Sequence, residues 1–304
     1  MNTKKAVDAI CHPLRYLRFY LLRYPSVLSD RTYIETLWLK KMGYAIDLNH
    51  PRTYNEKLQW LKLNDHNPHY TALVDKLQVK DVVGQLIGQQ YIIPTLGVWD
   101  KTDDISLESL PERFVLKTTH DSGSICICRD RATFDLEKAK RQLDRSLKND
   151  YWLAGREWPY KDVPRRIIAE PYLEDTETGE LRDYKFFCFG GEVKLMFIAT
   201  DRQHREEPYF DFFDLDFNHI DMRHGHPNAP VPPAKPKGFD TMIELTRKIA
   251  GKMAQVRVDF YEVNGQVLFG EVTLFHHGGW MPFDPKEWDE KMGRWIQLPV
   301  AGPA

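Results

Sequence analysis

An α+β fold, with antiparallel sheets following a mostly helical N-terminal region, is what this 304-residue sequence predicts. Three observations lead there. The N-terminal third carries helical apolar spacing and a helix-start signal. Beyond about residue 100 the pattern changes to short apolar runs punctuated by turns. Those runs bracket one helical segment and then follow one another as hairpins, an order that belongs to α+β chains. The length suits roughly two domains.

The chain opens on "MNTKKAVDAICHPLRYLRFYLLRYP", where Arg15, Arg18 and Arg23 interrupt every apolar run well short of the ~20 residues of a membrane span. It reads as neither a signal peptide nor a transmembrane helix. Two readings stay open for residues 1–25. One is a basic amphipathic helix making peripheral contact with a membrane surface. The other is that Leu14, Leu17, Leu21 and Leu22 pack onto the domain behind them.

In "PRTYNEKLQWLKLND", Thr53 and Glu56 have capping-box spacing and place a helix start, with Leu58 and Leu61 on one face. A single helix is expected through "YTALVDKLQVKDVVGQLIG". After "YIIPTLGVWD" come the strands "RFVLKTTH" and "SICICRD", then a helix capped by Asp135. The strands "RRIIAEPYLED", "LRDYKFFCFGGEVKLMFIATD" and "PYFDFFDLDF" follow. Proline excludes regular structure from "HPNAPVPPAKPKG" (226–238), an exposed connection. A helix capped by Asp240 and running to about Ala254 leads into a last hairpin.

With 42 basic and 44 acidic residues, the formal charge is −2. That balance gives no electrostatic case for a nucleic-acid partner, so any anion binding must be local. The four cysteines, Cys11, Cys126, Cys128 and Cys188, form no CxxC pair and have no zinc-like spacing, which fits a reducing cytoplasm. Cys126 and Cys128 share one face of a strand and are expected in the core. His224 and His226 in "RHGHP" lack a convergent third ligand, so no metal is expected there.

The last hairpin, "RVDFYEVNGQVLFGEVT" (257–273), sets Asp259 and Glu271 among strand-forming apolar residues. By the two-residue period, Arg257, Asp259 and Tyr261 share a face. A two-residue Asn264-Gly265 turn sends Asp259 and Glu271 to opposite faces. A three-residue loop with a bulge at Gly265 brings Asp259, Glu271 and Thr273 together. The functional reading requires that odd-length loop, and Mg²⁺ is then the natural occupant of the acidic pair. Against it stands an ordinary arrangement, with one acid paired to Arg257 and the other solvated.

Two other stretches combine lysine with glycine. "VLKTTHDSGSICI" places Lys117 at the end of a strand before a loop of Asp121, Ser122, Gly123 and Ser124, able to present backbone N–H groups to phosphate. "DYKFFCFGGEVKLM" embeds Lys185 in a hydrophobic strand ahead of Gly190-Gly191, and a buried lysine needs an anion: Asp183, Glu192 or a phosphate. "IIAEPYLED" supplies Glu170, Tyr172 and Glu174 at the end of an apolar strand.

In their order along the chain, "TYNEKLQWLKLND", "YIIPTLGVWD", "FVLKTTHDSGS", "DYKFFCFGGEVK" and "RVDFYEVNGQVLFGEVT" resemble the TupA-like family of the ATP-grasp superfamily. The resemblance spans about residues 30 to 298. It implies two antiparallel-sheet subdomains clasping ATP: a helical region at 1–110, a small lid subdomain at 111–172 and a large subdomain with the metal site at 173–304. It also implies that Lys117 and Lys185 neutralise phosphates, with Ser122, Gly123 and Ser124 in the closing loop. Glu170 and Tyr172 would present backbone to adenine, and Glu174 or Asp183 would hold ribose. Asp259, Glu271 and Thr273 would hold Mg²⁺, although threonine replaces the asparagine common at that position. Arg202 and Arg257, with Lys185, would face the transferred phosphate or the acceptor carboxylate. His276, His277, Gly278 and Gly279 in "FHHGGW" replace a Pro-Gly-rich tail and would contact substrate.

The function implied is an ATP- and Mg²⁺-dependent carboxylate-amine ligase acting through an acyl phosphate. It would join an amine or amino acid to a small-molecule or glycan carboxylate in surface-polysaccharide (capsule) synthesis, in the cytoplasm or at the inner face of the membrane. A kinase-like phosphotransferase and a nucleotide-sugar-dependent glycosyltransferase are the alternatives. Asp259→Asn, Glu271→Gln and Lys185→Ala are each expected to abolish ATP turnover with little loss of folded protein.

Overall fold

The structure, a computed structural model, describes residues 13–202 and 207–299. Cys11 and the first half of the basic N-terminal stretch lie outside the described residues. Helix α1 (Pro13–Leu21) leaves Leu14 74% exposed and Leu17 also exposed. These two leucines therefore do not pack onto the domain, contrary to one of the two expectations. Helix α2 (Asp30–Met42) buries Ile34 and Trp38 against Trp280.

Helix α3 (Tyr54–Asn64) starts at the expected capping box: Glu56 N–H donates to Thr53 Oγ1, and Thr53 N–H donates to Glu56 Oε2 at 3.1 Å. The helix expected over 70–88 is two helices, α4 (His69–Val74) and α5 (Gln78–Ile87). The break has a local cause. Asp75 accepts from the amides of Leu77 and Gln78, so its side chain starts a new turn instead of continuing the old one. Lys76 N–H is thereby released to the carbonyl of Thr119.

A four-stranded antiparallel sheet follows, in the order β1 (Gly97–Trp99), β4 (Ile167–Pro171), β2 (Phe114–Thr118) and β3 (Ile125–Cys128). Phe114, Leu116, Ile167 and Ala169 share a core with Leu143 of α6 (Leu136–Leu147). Asp135 caps α6 as expected, accepting from Lys138 N–H. Cys126 and Cys128 face that core while Ile125 and Ile127 stay exposed. The alternate positions of β2 and β4, Lys117 and Glu170 among them, face the other way. A short helix, α7 (Tyr151–Gly155), precedes β4.

The larger sheet has six strands in the order β10 (Gln266–Thr273), β9 (Val256–Val263), β5 (Asp183–Phe189), β6 (Glu192–Thr200), β7 (Tyr209–Phe213) and β8 (His219–Ile220), all antiparallel. Helix α8 (Phe239–Ala250) covers the face carrying Phe186, Val258 and Phe260. Its N-terminus differs from expectation. Asp240 lies inside the first turn and caps nothing; instead Glu262 accepts from the amides of Lys237 and Gly238. Helix α9 (Glu287–Trp295) packs on α3.

The final hairpin resolves the alternatives in an unexpected way. Its turn is the two-residue one, with Val263 opposite Gln266 and Asn264 and Gly265 at φ 50° and 81°. Yet Glu271 lies opposite Asp259, because Gly270 is an extra residue between the Phe269 and Glu271 pairs. The bulge sits in the strand, not the turn, and it alone moves Glu271 from the face of Val258 to that of Asp259. A Cβ on Gly270 would lie 3.0 Å from the carbonyl oxygen of Asp259 and 3.2 Å from the Tyr261 ring. Gly270→Val is therefore expected to lower stability by about 1–3 kcal/mol in urea denaturation, with Gly265→Val, at the strained turn, as the comparison.

Candidate active site

The inner face of the large sheet carries its charges in a setting of phenylalanine. Lys185 pairs across the ladder with Asp259. Its ammonium bonds Asp183 Oδ1 at 2.9 Å and also Asp259 Oδ2. Asp183 is shared with Arg202. Arg257 grips Asp259 with two parallel bonds of 2.7 Å, a fork geometry that guanidinium alone supplies. Asp259 is 1% exposed, so removing either cation would strand a charge in an apolar sheet.

Arg257 Nη2 also reaches Glu271 Oε1 at 3.0 Å and Thr273 Oγ1 at 2.9 Å. The three side chains predicted to hold a metal thus converge on one positive nitrogen. The donor set is oxygen-only, the chemistry a hard divalent ion such as Mg²⁺ takes, although the point the three side chains share is the Arg257 guanidinium and both Asp259 oxygens are held by Arg257 and Lys185. Glu271 turns its carboxylate toward the cavity. Burial acts to raise its pKa, but Lys185 and Arg257 outweigh it and push the group down to about 2.

Opposite lies Lys117, together with two cations, Lys76 and Lys80, that the sequence reading did not mark. Glu170, buried, binds Lys80 at 2.6 Å and Lys117 at 2.7 Å. Lys76 reaches the carbonyl of Asp121. Burial lowers the pKa of both Lys76 and Lys80. Asp121 is held by hydroxyls, with Thr118 at 2.5 Å, Ser124 at 2.6 Å and Ser146 also donating to it. Lys76 and Lys80 belong to the α4–α5 break and the first turn of α5, in a helical region that carries no phosphate-loop signature. Their only sequence signal was the Asp-Lys-Leu interruption of the helical period.

Between the two layers lies a cavity of about 480 Å³. Of the predicted residues, Lys117, Ser122, Glu170, Lys185, Arg202, Arg257, Glu271, Thr273, His276, His277 and Gly278 line it. Asp183 and Asp259 sit behind their cations. Ser124 spends its hydroxyl on Asp121 and Thr118. Gly123, at φ 95°, is outside the lining, as is Gly279, which lies against Leu58 and Gln59 of α3. Tyr172 and Glu174 are not brought to the cavity: the Tyr172 ring lies 4.3 Å from Arg113, which pairs with Glu174 at 2.7 Å near the surface. Lys76, Lys80, Tyr151, Glu157 and Tyr160 line the cavity without having been predicted.

The "FHHGGW" segment is a tight turn fastened from α3. Gln59 donates to the carbonyls of Gly278 and Gly279, and Lys62 donates to Gly278 and Gly155. His276 and His277 come within ligand distance of His224, all three ligand nitrogens lying inside 4.8 Å of one another. The expectation that His224 has no convergent partners is therefore corrected. A metal is nonetheless disfavoured there. Arg257 Nη1 donates to His276 Nδ1, which fixes the remaining proton of the neutral ring on Nε2 and leaves a donor where a ligand is needed. Burial and the neighbouring guanidinium hold His276 and His277 below the ordinary histidine range, His277 at about 4. His120 stays in the core, its Nε2 3.2 Å from the Ser146 carbonyl.

The model of the TupA-like ATP-grasp family matches residues 56–297. The chain belongs to that family. Two antiparallel sheets facing each other across a cavity are its ATP-grasp architecture, here behind a helical N-terminal region. Among solved structures, N5-carboxyaminoimidazole synthetase from Staphylococcus aureus is similar at 15% identity and TM-score 0.40, over 66% of this chain and 44% of that one. D-alanine-D-alanine ligase from Helicobacter pylori is similar at 12% identity and TM-score 0.45, over 74% and 61%. L-amino acid ligase from Bacillus licheniformis is similar at 12% identity and TM-score 0.44, over 74% and 49%. The chain spans less than two thirds of each of these proteins. Comparison with curated proteins gives no match. No helix among the described residues is long and apolar enough to cross a membrane.

Two predictions follow from the charge network. Lys185→Ala, expected from sequence to spare the fold, leaves Asp183 and Asp259 without their shared cation and should cost about 3–5 kcal/mol in denaturant titration. For pH, burial raises Asp183 and Glu170, but Lys185 and Arg202 for the first, and Lys117 and Lys80 for the second, hold both below their ordinary values, as happens at Glu271. The unfolded chain then takes up these protons first. Stability present above the unfolded glutamate value of 4.5 is lost as pH falls toward about 2, which thermal unfolding across that range will register.

Proposed function

We propose that this protein is an ATP- and Mg²⁺-dependent ligase that joins a carboxylate to an amine through an acyl phosphate. The observation that carries the reading is the meeting, across one cavity, of lysines from the α5 and small-sheet side with the Arg257-Asp259-Glu271-Thr273 group of the large sheet. Lys76, Lys80 and Lys117 would receive the nucleotide phosphates, Lys80 and Lys117 exchanging part of their bonding to Glu170 for phosphate oxygens. Glu271 and Thr273, together with Asp259 where Arg257 gives up its contacts, would hold Mg²⁺, which supplies charge neutralisation on the phosphates when bound. Arg257 and Arg202 would then face the acceptor carboxylate and the transferred phosphoryl group.

In such a step the acceptor carboxylate oxygen attacks the γ-phosphorus of ATP, the bond to the β-bridging oxygen breaks, and ADP leaves. An amine nitrogen then attacks the acyl carbon and expels phosphate. The protein's part is positioning and fixed positive charge, which phosphoryl transfer chiefly demands. We assign the acceptor to the sugar acids and the donor to amines or amino acids of surface-polysaccharide synthesis, and the site of action to the cytoplasm or the inner membrane face. The family's naming for teichuronopeptide biosynthesis supports that assignment.

The test is mass spectrometry of products after incubation with ATP, Mg²⁺ and a panel of uronic acids with amines. The expected result is an amide, with ADP and phosphate released only when both substrates are present. A phosphorylated product would show a kinase instead, and turnover of a nucleotide sugar without ATP would show a glycosyltransferase. Because Glu271 is exposed to the cavity, Glu271→Gln should keep the fold, by circular dichroism, while lowering turnover by roughly 100-fold to 1,000-fold.

A further inference from the structure

Four carboxylates line the cavity, and three of them are satisfied: Asp121 by hydroxyls, Glu170 by two lysines and Glu271 by Arg257. The fourth, Glu157, has no hydrogen bond or ion pair to its carboxylate among the described residues. The neighbouring cation is Lys62, whose three protons go to Gln59 Oε1 at 3.0 Å and to the carbonyls of Gly155 and Gly278, both at 2.7 Å. Lys62 is spent on holding the turn. The Glu157 carboxylate is left with no hydrogen bond or ion pair of its own among the described residues, and Lys62 acts on it only as a neighbouring charge, in a cavity otherwise dominated by positive groups.

Its placement is over-determined. Arg156, immediately before it, adopts the left-handed conformation at φ 55°, which a non-glycine residue holds only when its surroundings enforce it. They do so here: the Arg156 guanidinium lies over the Tyr33 ring at 4.1 Å, forms an ion pair with Asp30 at 3.2 Å and donates from Nη2 to the Leu28 carbonyl at 3.2 Å. Glu157 Oε1 lies in a notch between two glycines, 2.6 Å from where a Cβ of Gly155 would be and 3.3 Å from one on Gly278. Tyr151 and Tyr160, with ring centroids 5.0 Å apart, line the same cavity.

A carboxylate beside two aromatic rings is the chemistry that receives a primary ammonium group. Resting on the ligase reading above, we propose that Glu157 binds the amine substrate as its ammonium ion and takes the proton that frees the nitrogen lone pair. The ammonium N–H bond breaks, its electron pair stays on nitrogen, and Glu157 becomes the neutral acid. The nitrogen then bonds to the acyl carbon, the carbon-oxygen bond to phosphate breaks, and the second proton leaves with the phosphate. Burial raises the Glu157 pKa against the opposing pull of Lys62, which fits a carboxylate that accepts a proton. The charged or titratable groups that act on it are Lys62, Tyr151 and Tyr160, and Lys76, Lys80, Lys117, Lys185 and Arg257 make the opposite end of the cavity less favourable to a substrate ammonium.

Hydroxylamine separates the two half-reactions, because it attacks acyl phosphates as the free base and needs no carboxylate to deprotonate it. Wild type and Glu157→Gln are incubated with ATP, Mg²⁺ and uronic acids, and with hydroxylamine, glycine or glucosamine as nucleophile. Hydroxamate and amide are measured by mass spectrometry. The expected result is an amide-to-hydroxamate ratio about 100-fold lower in the variant, and the glycine and glucosamine arms tell an amino acid from an amino sugar. An unchanged ratio overturns the assignment, as does loss of both products in equal proportion. Absence of hydroxamate from wild type with every acid refutes the acyl-phosphate reading itself.

Discussion

Everything at this site depends on keeping two aspartates charged inside a sheet of phenylalanines. Asp183 and Asp259 are nearly inaccessible to solvent, and Phe186, Phe187, Phe197, Phe212 and Phe260 around them are fully buried. Carboxylates in such surroundings persist only if cations come with them. Lys185, Arg202 and Arg257 are those cations: the sheet's own register sets Lys185 opposite Asp259 and Arg257 two residues along the same strand and face, and Arg202 reaches Asp183 from just beyond β6. The fold and the site are therefore one electrostatic object. The charges that would hold nucleotide and metal are also the ones that make the inner face of the sheet foldable.

The second constraint is register. A two-residue turn and an unbroken ladder would have placed Glu271 on the apolar face under α8, at a cost no ion pair there could offset. One extra residue at Gly270 corrects the phase just before the glutamate, and the close approach of the Asp259 carbonyl explains why that residue has no side chain. The consequence is a cluster of oxygen donors centred on a single guanidinium nitrogen.

The helical N-terminal region is part of the site and not an appendage to it. Helix α3 holds the His276–Gly279 turn through Gln59 and Lys62, and Asn55 Nδ2 bonds the Met281 carbonyl at 2.8 Å. The break after Asp75 turns Lys76 and Lys80 toward the cavity. Because the small sheet reaches the same space through Lys117 and Glu170, the cavity has walls from three separate stretches of chain, each contributing charge that the others compensate.

Local pattern determined much of this. The Thr53-Glu56 cap, the Asp135 cap, the alternation that buries Cys126 and Cys128, the two glycine turns and the shared face of Arg257 and Asp259 all follow from interactions within a few residues, which sequence expresses directly. The lysines and acids of the β2, β5 and β9 strands were legible for the same reason. What needed the tertiary structure was whatever depends on contacts distant in sequence. The bulge at Gly270 is set by a neighbouring strand's carbonyl, the Glu170 pairs join α5 to the small sheet, and Glu262 replaces Asp240 as a helix cap from a strand 24 residues away. Glu157 is the extreme case: its residue type and local spacing carry no signal, because what marks it is a carboxylate with no direct partner, a property of the folded surroundings and of nothing nearby in the chain.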